Sequence, residues 1–184
     1  MKKVFELIYF LNNGPLHWIC MSGNPKVAKI IINHFNHLYF NHTNQQNKTG
    51  LYYLIGKETS KIIDIINILL DNGLEINFTP KNGNSILTEF VFDVKPDLKV
   101  ISFLLKNGAD WNTMTTQNKT LYERIKESVE NSFFYVQSQS QIKSKILEFF
   151  EYYKQIEERR KIEEEKENEN ENKESNETKE SDLK

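Results

Sequence analysis

In the runs "IINILL" and "VISFLL", apolar residues recur at three- and four-residue spacing: Ile62, Ile63, Ile66, Leu69 and Leu70 in the first, and Leu98, Ile101, Leu104 and Leu105 around the second. Each set falls on one face of a 3.6-residue helix, so both stretches predict an amphipathic helix with a single apolar stripe. Near-identical phrases follow them, "DNGLEIN" at 71–77 and "KNGADWN" at 106–112. Gly73 and Gly108 stand there where a helix stop needs a residue free to take positive φ. Upstream of the long helices lie shorter ones, each opened by a polar turn: "NNGPLHWI" at 12, "NKTGLYYL" at 47, "GNSILTEF" at 83 and "NKTLYERI" at 118. Their fifth residues, Leu16, Leu51, Leu87 and Tyr122, are 35, 36 and 35 apart, and Val27, Ile62 or Ile63, and Leu98 keep the same period in the second helices. Pro25 and Pro96 each precede that second series by two residues, where a helix start tolerates proline.

A local solution repeated at a fixed interval marks a repeated structural unit. A helix pair of this size cannot bury its stripe alone; it needs a neighbour on each side, so the pattern predicts a stack. Thr49, Ser85 and Thr120 precede three of the short helices and can accept a hydrogen bond from the first helical turn, about 1 kcal/mol per cap. Gly14 has no side chain to offer, so the first helix is expected to fray most easily.

The phrases Pro15-Leu16-His17, Asn47-Lys48-Thr49 with Leu51, Leu69-Leu70 with Asn72-Gly73 and Asn77, Leu104-Leu105 with Asn107-Gly108-Ala109-Asp110 and Asn112, and Asn118-Lys119-Thr120 together span roughly residues 12–127. This periodic set resembles the ankyrin repeat. The resemblance implies an all-α ankyrin-repeat solenoid of about four irregular helix-pair units over residues 1–140, starting near 12, 47, 83 and 118. It also implies a non-catalytic module that binds a partner protein through a concave surface of turn tips and inner helix ends. The family's variable positions correspond to Gln45, Gln46, Lys81, Asn82, Thr116 and Gln117 in the turns, and Met21, Ser22, Lys57, Phe92 and Asp93 near the ends of the first helices. Phe92 and Met21 are the expected anchors, since an apolar side chain on a rigid groove suits a binding hot spot. His17 takes the place of the family's capping histidine, and Cys20 fills a small-residue core position. Where the family carries two alanines, this chain has Ile19-Cys20, Leu54-Ile55 and Phe90-Val91, which predicts wider or less regular packing between units.

The stretch from Gln141 to Glu167 reads as one helix, with Ile142, Ile146, Phe149, Tyr153 and Ile156 spaced four, three, four and three. It is expected to cap the last repeat at 141–167. The same seam could pair with a second copy through 142–156, but two heptads fall short of the three or four a coiled coil needs, so a monomer is expected. Beyond Glu167 no apolar residue occurs before Leu183, and residues 168–184 are expected to form a disordered charged tail. The insert at 129–141 stretches the fourth unit.

Charge changes the picture little. The 184 residues carry a net charge of −2; from Gln155 to Lys184 there are 12 acidic and 7 basic residues, leaving 14 acidic and 17 basic before them. Arg124, Arg159 and Arg160 are the whole arginine complement, which argues against nucleic acid as a partner. The one cysteine, Cys20, allows no intrachain disulfide and suits a reducing compartment. The opening "MKKVFELIYFL" imitates a signal peptide, but Glu6 interrupts it and Asn12-Asn13-Gly14 replaces a cleavage site, so it is assigned to the fold. No apolar run approaches the ~20 residues that cross a bilayer, and a cytoplasmic location is expected.

Candidate chemistry is sparse. His34, His37 and His42 with Cys20 are the residue types of a zinc site but lack its paired spacing. Cys20 and His17 pair a nucleophile with a base, three residues apart and with no third group to orient them. The sequons at Asn41, Asn47 and Asn118 include two that coincide with helix-start phrases, and "GNPKVAK" at 23 lacks the ending of a phosphate loop. No metal, cofactor or enzymatic activity is expected.

Overall fold

The computed structural model describes residues 12–34, 40–130 and 137–181. The opening segment "MKKVFELIYFL", His37 and residues 131–136 of the insert lie outside the described residues. One backbone feature sets the frame: Asn12, Asn47, Asn82 and Asn118 all have positive φ, at 52°, 57°, 58° and 55°. Most side chains resist that conformation, and asparagine tolerates it best after glycine. These asparagines lie 35, 35 and 36 residues apart, so a left-handed turn residue recurs once per repeat, with Asn82 one position further from its helix start than the other three.

A short first helix and a longer second one follow each turn. The first repeat has α1 (Pro15–Ser22) and α2 (Pro25–His34); the second has a 3-10 helix (Gly50–Leu54) and α3 (Thr59–Leu70); the third has α4 (Ile86–Val91) and α5 (Leu98–Lys106). The fourth opens with α6 (Leu121–Glu130), and α7 (Gln137–Ser181) follows. Among the described residues there are no strands, only two isolated antiparallel bridges, Thr43 with Thr49 and Met114 with Thr120. In the third repeat Pro80 stands where Asn44 and Thr115 stand in the bridged turns. Asn44 and Thr115 donate their N–H to the carbonyls of Lys48 and Lys119, at 3.0 and 2.9 Å. A proline has no N–H to give.

α1 and α4 both pack on the 3-10 helix, α2 lies against α3, and α3 against α5. First helices thus meet first helices and second helices meet second helices, as the stacking argument requires. The core lies between the two rows, where Leu16, Leu54, Ile66, Leu87, Leu104 and Leu121 are all nearly inaccessible. Full burial of each such side chain contributes about 1.5–3 kcal/mol. The buried stripes differ by a residue from the sequence reading. In α3 they are Ile62, Ile65, Ile66 and Leu69, with Ile63 and Leu70 half-buried; in α5 Val100 joins Ile101, Leu104 and Leu105, while Leu98, at the open first turn, is half-buried.

The helix ends depart from expectation at two places. Ser85 caps α4 by accepting from the Thr88 N–H at 3.3 Å. Thr120 and Glu123 cap α6 reciprocally: the Glu123 N–H donates to Thr120 Oγ1 at 3.2 Å and the Thr120 N–H to Glu123 Oε2 at 2.8 Å. Thr49 makes no side-chain cap bond, and the helix it precedes is 3-10 rather than α. The first start has no cap side chain, as expected, but its Gly14 N–H donates to Nδ1 of His17 at 3.2 Å. This is the reciprocal half of a capping box; the His17 N–H, which a cap side chain would take, bonds the Gly14 carbonyl instead at 3.0 Å. At the other end of α1, Gly23 takes φ 58° and its N–H reaches the Cys20 carbonyl at 3.1 Å.

Gly50 sets how closely the second repeat approaches the first. A Cβ there would sit 2.5 Å from Leu16 Cγ and 2.7 Å from its backbone carbon. The helix stops after α3 and α5 are alike: Leu74 N–H bonds the Leu69 carbonyl and Gly73 N–H the Leu70 carbonyl, and Ala109 and Gly108 do the same to Leu104 and Leu105. Gly73 and Gly108 have φ 89° and 82°, as their place in the phrases implies.

The chain divides into two compact bodies, Met1–Leu147 and Glu148–Lys184. α7 continues past 167, where the sequence reading ends it, to Ser181. No glycine or proline interrupts it, and Glu, Lys and Asn dominate its latter half, so nothing in the backbone forces a stop. In the second body Tyr152 and Ile162 stand exposed on this helix.

Candidate functional site

The expected binding residues fall into two groups held differently. Gln45, Gln46, Lys81, Asn82, Thr116 and Gln117 are all exposed at the turns. Their backbone is tied down while their side chains face solvent. The Gln46 N–H donates to Asn44 Oδ1 at 3.0 Å, the Lys81 carbonyl accepts from Asn47 Nδ2 at 2.6 Å, and the Thr116 N–H donates to Asn84 Oδ1 at 3.1 Å. The last two bonds cross from one repeat to the next. A further crossing is made by Asn77, whose amide donates to the Gly108 carbonyl at 2.8 Å and accepts from the Asp110 N–H at 2.7 Å.

At the inner helix ends, Ser22 and Lys57 are exposed, and Met21, Phe92 and Asp93 are half-buried. Lys57 Nζ donates to the Met21 carbonyl at 3.1 Å, joining first and second repeats, and Asp93 Oδ1 accepts from the Val94 N–H at 2.7 Å. Phe92 is not the open apolar anchor that its position suggests, for the Arg124 guanidinium lies 3.9 Å over its ring. Stacking of that cation on the ring face is itself favourable and covers the apolar surface. The exposed apolar side chains of this part of the molecule are Val94, at 78%, and Met114, at 56%. Both sit outside the register used to choose candidates. Lys57, Asp93 and Val94 line one open cleft of about 390 Å³, floored by Ile62 and Phe90.

A polar cluster escaped the sequence reading. Glu89 Oε1 accepts from Lys48 Nζ at 3.3 Å and from Asn84 Nδ2 at 3.2 Å, and Lys48 Nζ also stands 3.9 Å over the Tyr52 ring. The available signal was the same period: Trp18, Tyr53, Glu89 and Arg124 occupy one position of the four first helices.

Of the tempting catalytic and metal residues, Cys20, His17 and His42 hold structural places in the first repeat and its junction with the second. Cys20 is fully buried, and burial alone drives its thiol far above its ordinary range, so it presents no thiolate. His17 is buried with both nitrogens engaged, Nδ1 accepting from Gly14 and Nε2 donating to the Lys48 carbonyl at 3.0 Å, which fixes the neutral tautomer. Its pKa is lowered, chiefly by burial and further by His42, with the Lys48 carbonyl acting the other way. His42 meets it edge-on at 5.6 Å between ring centres and shares a hydrogen bond with the Asn12 carbonyl at 2.9 Å. Among the described residues no group of three or more His, Cys, Asp or Glu side chains is placed to hold a metal ion. No helix among them is long and apolar enough to cross a membrane.

The ankyrin-repeat family model matches residues 11–40, the first turn with α1 and the whole of α2, and a turn followed by a short and a longer helix recurs in the structure behind it. In residues 11–40 the chain is similar to the ankyrin repeat. It is similar to the serine/threonine-protein kinase TNNI3K of Mus musculus, with 30% identity over 112 residues, 58% of this chain. The chain spans 12% of that relative's length, so the similarity speaks for part of the kinase. Ankyrin repeats are non-catalytic modules that mediate protein–protein interaction. In the second repeat Gly50 stands where the first start has Pro15, and the helix tightens to 3-10.

Proposed function

We propose that this protein binds a partner protein, without catalysis, on the face made by Gln45, Gln46, Lys81, Asn82, Thr116 and Gln117 at the turns and by Met21, Ser22, Lys57, Phe92 and Asp93 at the inner helix ends. The observation that carries this reading is the repeated tip: side chains exposed on a backbone that is hydrogen-bonded within its turn and to the next one. A surface fixed before binding loses little entropy on association, which favours recognition by side-chain identity. Val94 joins the proposed face as its most exposed apolar residue, beside the cleft that holds Lys57 and Asp93. A monomer suits this reading. Self-association through 142–156 draws less support, because Ile146 in that seam is already buried within the single chain.

The test compares affinity capture by the intact chain with capture by a variant carrying Lys81→Ala, Thr116→Ala and Gln117→Ala. These exposed positions should change stability by no more than about 0.5 kcal/mol each, so the melting curve stays close to that of the parent. Proteins retained by the parent and lost from the variant support the assignment. An unchanged set on an equally stable variant rejects this choice of face.

A further inference from the structure

The chain has seven glycines, and four of them follow an asparagine: Asn13-Gly14, Asn72-Gly73, Asn82-Gly83 and Asn107-Gly108. Such a pair is prone to lose the side-chain amide without an enzyme, because glycine has no Cβ to keep its backbone nitrogen away from the preceding side chain. The fold treats the four differently. Asn13 is buried, its Oδ1 accepts from Asn44 Nδ2 at 2.9 Å, and the Gly14 nitrogen is engaged by His17. Asn72 and Asn107 each donate Nδ2 to the carbonyl four residues back, Ile68 at 2.7 Å and Phe103 at 2.8 Å, and the glycines after them close the helix ends. Asn82 is exposed at a turn tip, and its side chain makes no hydrogen bond among the described residues. The Gly83 N–H bonds the Pro80 carbonyl at 2.9 Å, across a turn rather than a helix stop.

We propose that Asn82 is a spontaneous deamidation site, the first of the four to react in the folded chain. The Gly83 nitrogen gives its proton to solvent and attacks Cγ of Asn82. The bond from Cγ to the side-chain nitrogen breaks, ammonia leaves with a proton from water, and a five-membered succinimide joins the two residues. Water then adds to one ring carbonyl or the other. One opening leaves an aspartate; the other leaves an isoaspartate, whose main chain runs through Cβ and Cγ. One water is consumed and one ammonia released overall, with no change of oxidation state.

Either product puts a carboxylate beside Lys81 on the turn tip. The aspartate can keep the turn, since Asp tolerates the left-handed region that Asn82 occupies at φ 58°. The isoaspartate lengthens the backbone next to the Lys81 carbonyl, which accepts the bond from Asn47 that joins second and third turns. The chemistry stands without the binding reading; its effect on a partner rests on that reading.

The intact chain, incubated in mildly alkaline buffer and sampled over time, is digested and the four Asn-Gly peptides are quantified by mass spectrometry. Asn82 should deamidate about tenfold faster than Asn72 or Asn107, the factor that follows when each of those must first break a side-chain hydrogen bond of about 1.4 kcal/mol. In denaturing urea the four rates should converge, since the tethers are gone. Equal or faster reaction at Asn72, Asn107 or Asn13 in the folded chain overturns the proposal. So does an advantage of Asn82 that persists undiminished in urea, which would assign it to local sequence rather than the fold.

Discussion

His17 shows how much one side chain can carry. Its ring caps α1 from within, through the Gly14 N–H, and reaches into the next repeat at the Lys48 carbonyl. Burial, with His42 acting in the same direction, lowers its folded pKa below the unfolded value of about 6.5. The unfolded chain therefore binds more protons in the window below about pH 6.5, so stability is full above that value and falls as pH drops through the window. Urea melts across roughly pH 5 to 7 should show this loss, and His17→Gln should remove part of the slope. An identical slope in the variant would mean that other groups account for it. The sequence marked His17 as a capping residue by resemblance. That its ring would accept from the Gly14 N–H and also reach the next repeat was not legible, because the spacing gives the reach of a side chain but not which of its nitrogens faces which backbone group.

At the scale of the element, the second repeat is the instructive one. Its polar start and apolar residues read like those of its neighbours, yet it forms a 3-10 helix with no cap bond from Thr49. The same element packs against both α1 and α4, and Gly50 lets its backbone approach Leu16 where any Cβ would overlap it. Gly50→Ala should therefore destabilise the chain by about 1–3 kcal/mol, the usual range for overpacking, while Thr49→Ala should cost under about 0.5 kcal/mol because no cap bond is lost. Denaturant midpoints of the two variants check this. A tolerated alanine at Gly50 would show that the two repeats can slide apart cheaply. The pattern of apolar positions located this element. It could not tell 3-10 from α, since five residues span little more than one turn of either.

For the whole molecule, the repeats stabilise each other through rows of like helices, so a fragment's fate depends on how many neighbours it keeps. Cutting after Asn77 leaves α3 without α5 and the 3-10 helix without α4, and the 1–77 fragment should lose most of its helical circular dichroism. Deleting 168–184 removes no apolar residue except Leu183, and the melting temperature should stay nearly unchanged. A cooperatively folded 1–77 fragment would contradict the stacking account, and a large drop on removing the tail would show that this segment contributes to the fold.

The sequence by itself determined the repeat, its period, the helix pair in each unit and the positions of the helix stops, because apolar spacing and glycine at Gly73 and Gly108 act through local geometry that one segment contains. It held two of the left-handed asparagines too, Asn47 and Asn118, inside the phrases that carry the resemblance. Only the tertiary structure decided what lies across a boundary between repeats: the Asn77 amide bridging to Gly108 and Asp110, Glu89 gathering Lys48 and Asn84, and Arg124 covering Phe92 while Val94 stays open. These contacts join residues more than 30 positions apart, or depend on which face of a short helix a long side chain crosses. Spacing along the chain fixes neither; the distance between stacked backbones fixes both.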